Sequence, residues 1–273
     1  MEAYASWLPV IAALVAAGAV GGLIAGLLGV GGGIVIVPAL DFALQAAGVS
    51  HDVALHVAVA TSMATIIPTA ISSSRSHAKR GSVDAAVVRR WSVPIIAGSL
   101  AGAMVASHLD AHVLALVFGV VALAAALKML LPIDHVVLHQ GLPGGLLGAL
   151  IPAGIGAVSS MMGIGGGTLS VPTMTLLGEP VHKAVGTAAL LGLWIAVPAT
   201  VGYLLARPPA ELVPPLTIGY VSLPGLALIA PVSWVVAPLG ARLAHSLDRR
   251  KLTAAFGGFL FLVAVRMGYR AFG

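Results

Sequence analysis

Thr61, Ser62, Thr65, Ser159, Ser160, Thr168, Ser170 and Thr187 lie in or beside long apolar runs. Their hydroxyls can donate hydrogen bonds to an oxyanion, and neutral donors suit reversible binding better than a buried guanidinium. The competing reading is local, since Ser and Thr in membrane helices usually bond their own backbone. Thr61, Ser62 and Thr187 stand out because they are related by repetition: His56-Val-Ala-Val-Ala-Thr61 returns further along the chain as His182-Lys-Ala-Val-Gly-Thr187. The two histidines are proton-coupling candidates because imidazole titrates near neutral pH. A histidine that merely opens a helix is the plainer reading, above all for His182, beside Lys183 and near Glu179. Asp41, an acidic residue well inside an early apolar segment, is a proton-relay or pairing candidate for the same reason.

Backbone donors come from a second repetition. Gly29-Val-Gly-Gly-Gly-Ile-Val-Ile-Val-Pro38 returns as Gly163-Ile-Gly-Gly-Gly-Thr-Leu-Ser-Val-Pro172, 163 − 29 = 134 residues further on. Gly31, Gly32 and Gly33, and likewise Gly165, Gly166 and Gly167, remove side-chain bulk and admit positive φ, so a helix can break there and bring N–H groups close to a ligand. The helix that starts after each break presents free N–H groups and a positive dipole end, which is an anion site without a charged side chain. The competing reading is close helix packing, and the Gly18, Gly22, Gly26 series at four-residue spacing reads as that.

These residues need a membrane scaffold. Of 273 residues 59% are hydrophobic and 8% charged, about a third of the usual charged share, so a soluble fold is excluded. Apolar segments fall at 8–30, 34–49, 53–74, 86–106, 113–131, 142–162, 168–178, 184–206, 216–240 and 252–270, five and five. Most approach the roughly 20 residues a spanning helix needs, whereas segments two and seven are short and read as half-helices or re-entrant arms. The first segment reads as a retained helix rather than a signal peptide. The net charge of +5 sits in a few loops and sets topology, so nucleic acid is not a partner. The absence of cysteine removes thiol catalysis, disulfides and thiolate metal sites. No metal or cofactor site is expected.

Two further matches keep the same order. Ser107-His-Leu-Asp110 pairs with His245-Ser-Leu-Asp248, and Phe118-Gly119 with Phe256-Gly257, both at one common spacing. An internal repeat follows, with residues 1–134 as the first half and 135–273 as the second. The loop after segment three carries Arg75, Lys79, Arg80, Arg89 and Arg90, while its counterpart has Arg207 and Glu211. The next loop reverses the pattern, with no Lys or Arg in 107–112 but Arg242, Arg249, Arg250 and Lys251 in its counterpart. If basic loops stay cytoplasmic, the repeats are inverted and both termini face outward. The expected fold class is therefore an all-α polytopic membrane protein: two inverted repeats of about five membrane segments, broken or re-entrant at the Gly-rich motifs.

The duplicated Gly-x-Gly-Gly-Gly-x3-Val-Pro blocks, each followed by a Thr-bearing turn (Ala60-Thr61-Ser62 and Gly186-Thr187-Ala188), resemble the TauE/SafE sulfite-exporter family of permeases, across nearly the whole chain. In the second half Ala188 stands where a serine is expected. The resemblance implies a secondary active transporter of small anions, of the sulfite, sulfoacetate and thiosulfate class, in a bacterial inner membrane. The expected site combines Gly31–Gly33, Thr61, Ser62, Gly165–Gly167, Thr168 and Thr187, near the midplane between the repeats. Its partners are a small anion, protons and the lipid bilayer, and a homodimer through a glycine-rich face is compatible with the sequence. Arg75, Lys79 and Arg80 can gather anions at the mouth, or simply set topology. An enzyme is not indicated, because neither His-Glu-x-x-His nor Gly-x-Ser-x-Gly occurs and no cysteine nucleophile exists. An anion channel and a carrier of small carboxylates are the alternatives. In the inverted topology, single cysteines at positions 78 and 245 are accessible to an impermeant thiol reagent from the same face of the membrane; labelling on opposite faces sinks that topology.

Overall fold

The computed structural model describes residues 8–29, 31–131, 140–243 and 249–272. The half-boundary expected at 134/135 and the block 245–248 lie outside the described residues. Ten helices make up nearly all of it: α1 (Leu8–Leu28), α2 (Gly33–Ala46), α3 (His51–Ala78), α4 (Ala85–Ala106), α5 (Ala111–Leu130), α6 (Gly145–Met161), α7 (Gly167–Leu176), α8 (Val181–Leu205), α9 (Leu223–Leu243) and α10 (Arg249–Phe272). Helices satisfy their own peptide groups, which hydrocarbon requires. Among the described residues, α3, α5, α8 and α9 are long and apolar enough to cross a membrane. Segments two and seven are indeed short helices of 14 and 10 residues.

Two boundaries depart from the hydropathy reading. Helix α3 continues past 74 to Ala78, because its serines and Arg75 end the apolar run without ending the backbone pattern. Segment nine begins at Leu223 instead of 216. Pro214 and Pro215 cannot donate to a helix ladder, and 217–222 instead form a small antiparallel hairpin, Thr217 facing Ser222 and Ile218 facing Val221.

Helices meet through residues too small to keep them apart. Gly18, Gly22 and Gly26 on α1 lie against Ile229, Ser233 and Ala237 on α9, in ascending order along both, so the two helices run the same way. Gly98 and Gly102 on α4 lie likewise against Ala153 and Ala157 on α6. These contacts recur at the offsets of the sequence repeat: Gly240 against Leu23 answers Gly102 against Ala157, and Gly22 against Ser233 answers Gly156 against Ile95. On the outer flank α5 packs along α10, where Gly119 meets Gly268 and Gly257 meets Leu130. The first half thus lends α1 to α9 of the second half, and the second half lends α6 to α4 of the first. Neither half encloses its own core.

Gly154 and Gly156, two residues apart on α6, separate packing from propensity. A Cβ at Gly156 collides with the Ile95 carbonyl, whereas one at Gly154 meets nothing within 4 Å. Gly156→Ala is expected to cost about 1–3 kcal/mol through overpacking, and Gly154→Ala to be neutral or to stabilise by up to about 1 kcal/mol through helix propensity. Thermal unfolding in detergent reads both; equal effects would refute the α4–α6 contact.

Candidate functional site

The two glycine breaks meet. Gly31 and Gly32 hold φ of 83° and 75°, left-handed values that a side chain strains to adopt, and they turn the chain from α1 into α2. In the second break Gly163 holds a φ of 65°, answering the 67° of its counterpart Gly29, while Gly165 and Gly166 lie close to backbone of other segments. A Cβ on Gly31 would stand 2.7 Å from Cα of Gly165, its own counterpart in the second glycine block. One on Gly33 would collide with the Gly163 carbonyl, and one on Gly166 would lie 3.0 Å from the Gly192 nitrogen. The flanks correspond as well: Gly29 lies against Val185, and Gly163 against Val59, which is the repeat counterpart of Val185.

A cavity of about 10 Å³, room for one water, remains beside this crossing, lined by Ala25, Gly29, Gly31, Thr69, Ala70, Ser73, Ala189 and Gly192. No oxyanion fits that volume. In this conformation the centre is closed.

The hydroxyls chosen for their repeated positions bond across the halves. Thr61 Oγ1 accepts from the backbone N–H of Ser222 at 2.9 Å, and Thr187 Oγ1 from that of Asp84 at 2.8 Å. Asp84 caps α4 through Ala86 and Val87, and Ser222, its counterpart in the second half, precedes α9 and accepts from Gly225. Each threonine therefore holds the start of the other half's fourth helix. Ser62 Oγ donates to the Gly163 carbonyl at 2.7 Å and ties α3 to the second break. Thr65 and Ser160 bond their own helices, as the local reading expects. Thr168, Ser170 and Ser159 are buried, with hydroxyls that find no partner among the described residues.

The structure separates the two histidines. His182 is exposed, and its neighbour Lys183 faces Asp84 at 4.0 Å. His56 is buried, its ring stacked on Tyr220 with centroids 5.1 Å apart. Its Nδ1 lies 3.1 Å from the Asp52 carbonyl oxygen and its Nε2 2.9 Å from that of Leu109. Carbonyls only accept, so a neutral ring can donate to one of them and an imidazolium to both. Burial pushes the Tyr220 hydroxyl above its ordinary range and keeps it protonated. His56 and Tyr220 close the inner end of a cleft of about 380 Å³ also lined by Asp52, His108, Asp110 and His112. Sequence reasoning missed this cleft, because the loop at 107–112 and the hairpin at 217–222 build it from distant parts of the chain; the dense His and Asp of that loop were the available signal.

Asp41 is fully buried and paired. Arg270 of α10 donates to its Oδ2, Gln45 Nε2 donates to the same oxygen at 2.9 Å, and Arg266 lies 4.0 Å away while stacking on Phe42. Arg270 also donates to the His51 carbonyl at 2.8 Å, so it ties α10 to the start of α3. Nothing brings Asp41 to the glycine crossing. Arg270→Gln strands a buried carboxylate and is expected to cost about 3 kcal/mol or more of stability, most of it restored by adding Asp41→Asn. Chemical unfolding in detergent checks this cycle, and additive losses would exclude the pair.

The chain matches the family described as sulfite exporter TauE/SafE over residues 14–267. It is 32% identical over 251 residues to a "Probable membrane transporter protein" of Haemophilus influenzae, an alignment covering 92% of this chain and 95% of that one. It is 42% identical over 71 residues, 26% of each chain, to "Probable membrane transporter protein YunE" of Bacillus subtilis. No solved structure matches it. Family, relatives and helical architecture agree on a transporter rather than an enzyme. The chain belongs to the TauE/SafE sulfite exporter family and is an integral, multi-pass membrane transporter of that type.

Proposed function

We propose that the protein is a secondary carrier of small anions, of the sulfur oxyanion and organosulfonate class that includes sulfite, sulfoacetate and thiosulfate. Its two halves, 1–134 and 135–273, act as inverted repeats in a bacterial inner membrane. The observation that carries this reading is the contact of Gly31 with its own counterpart Gly165, where two short helices begin. Helix starts of that kind concentrate free N–H groups and positive dipole ends. Their crossing at one place supports a shared anion site at Gly31–Gly33 and Gly165–Gly167. Thr61, Ser62, Thr168 and Thr187 lie on or beside the same elements. Thr61 and Thr187 use their oxygens as acceptors, which leaves each hydroxyl proton for a ligand.

The closed centre fits an occluded state of a carrier cycle; a gated channel also closes, and saturable rather than ohmic flux separates the two. Proton coupling is assigned to His56, whose two carbonyl contacts are both satisfied only in the protonated ring. Asp41, held by Arg270, serves that role less well than it serves stability. His182 lacks the buried contacts of His56.

Purified protein screened by thermal shift against sulfite, thiosulfate, sulfoacetate, taurine and small carboxylates is expected to gain stability with anions in a saturable way. A response to cations alone overturns the reading, and one confined to carboxylates moves the substrate class. In proteoliposomes His56→Gln is expected to flatten the pH dependence of uptake while saturable anion flux persists. An unchanged pH profile removes His56 from coupling.

A further inference from the structure

Helix α3 carries a buried polar ridge that the second half does not repeat. Thr61, Thr65, Thr69, Ser73 and His77 stand four residues apart, the spacing that aligns side chains along one ridge of a helix. All are buried, at 0%, 0%, 1%, 2% and 5% exposure, on the most buried of the four helices long and apolar enough to cross a membrane among the described residues. The positions equivalent to the first four on α8 are Thr187, Leu191, Ile195 and Ala199, so past its threonine that ridge is apolar.

The hydroxyls of Thr65 and Thr69 donate back to carbonyls of their own helix, and the pattern then stops. Thr65 Oγ1 donates to the Ser62 carbonyl and Thr69 Oγ1 to that of Thr65, with Ser233 Oγ of α9 3.0 Å from Thr69. Ser73 Oγ, 2% exposed, has no partner among the described residues. A buried hydroxyl left unpaired calls for a reason. Ser73 lines the small cavity that touches Gly29 and Gly31, so the hydroxyl and the first glycine break face one space. The other walls, Ala25, Ala70, Ala189 and Gly192, have no rotamers to rearrange as that space widens. Beyond Ser73 the helix ends among Arg75, Lys79 and Arg80, cations that raise the local concentration of anions at the mouth.

We propose that Ser73, with Thr69, forms a second oxyanion-binding station on the basic-loop side of the glycine crossing, where a sulfonate-type anion pauses between crossing and mouth. This rests on the anion-carrier reading and adds to it a site, its donors and the side on which it lies. Thr69 turns its hydroxyl from the Thr65 carbonyl to the anion, and Ser73 supplies the hydrogen bond it makes to nothing else in the closed conformer. The apolar ridge of α8 makes no equivalent station on the opposite side.

The cysteine-free chain allows a direct test in proteoliposomes. Ser73→Cys and Ala199→Cys are labelled with an impermeant methanethiosulfonate from the basic-loop side, with and without sulfoacetate. The Ser73→Cys thiol is expected to react, and sulfoacetate to slow it; the Ala199→Cys thiol is expected to be insensitive to the anion. Ser73→Ala is expected to weaken sulfoacetate binding about tenfold by thermal-shift titration, the loss of one hydrogen bond to a charged group, and Ser73→Thr to recover part of it. If sulfoacetate stabilises the parent protein while Ser73→Ala binds it equally well, or leaves the Ser73→Cys thiol unprotected, the station is refuted and the carrier reading stands. If no anion stabilises the parent protein, the carrier reading falls and takes the station with it.

Discussion

Hydrocarbon offers no hydrogen-bond partner to a peptide group, so a chain that reverses direction among buried helices has to cover the reversal with protein. Here two reversals cover each other. Gly31 rests on Gly165, Gly33 leaves room for the Gly163 carbonyl, and Ser62 donates to that same carbonyl. Any side chain at these positions would push the breaks apart and expose their peptide groups. The close helix pairs, α1 with α9 and α4 with α6, serve the same end, because glycine and alanine at their contacts draw the reversals to one place. Little of this depends on large side chains interlocking. Backbone meets backbone.

That arrangement also determines how motion can pass through the molecule. Thr61 and Thr187 sit on the helices that contact the breaks, and each holds the first turn of a helix from the opposite half. A shift of α3 therefore reaches the start of α9, and a shift of α8 the start of α4. A neutral hydrogen bond of this kind contributes about 1 kcal/mol net. On the proposed carrier cycle that is strong enough to keep the halves in register at rest and weak enough to exchange. The ion pair of Asp41 with Arg270 is different in kind: buried and charge-assisted, it anchors α2 and α3 to α10.

Most of the helical scaffold was legible in the sequence. Apolar runs reported the ten helices, and only the ninth was displaced by much, where two prolines and a hairpin interrupt an otherwise apolar stretch. The Gly18, Gly22, Gly26 spacing reported close packing, and the structure places α9 against it. Pairing across the chain was not legible. Arg270 and Asp41 lie near opposite ends of the sequence, and no local pattern links them. Thr61 and Thr187 were singled out by their matching sequence context, but their acceptor role toward Ser222 and Asp84 depends on which helix start lies opposite, and composition carries no such information. The repeated histidines misled in an instructive way, for similarity of position did not bring similarity of environment: His56 is buried under Tyr220 and His182 faces outward.

The two halves agree most where backbone is in contact and least where side chains do the work. Gly102 with Ala157 and Gly240 with Leu23 are the same contact made twice. By contrast, Thr175 of the second half stands at the position of Asp41, and Lys128 of the first half at that of Arg266, so a carboxylate beside a guanidinium becomes a hydroxyl 3.5 Å from an ammonium. Close backbone packing tolerates no substitution larger than a hydrogen atom, so it constrains both copies alike. Side chains facing a cavity or an end of the molecule carry no such constraint and can diverge. Divergence cannot set the direction of a secondary carrier, since gradients do that. What it can do is give two openings different affinities wherever different residues line them. A hydroxyl ridge on α3 with an apolar ridge at the equivalent positions of α8 is a difference of that sort, and it leaves the shared glycine crossing unaltered.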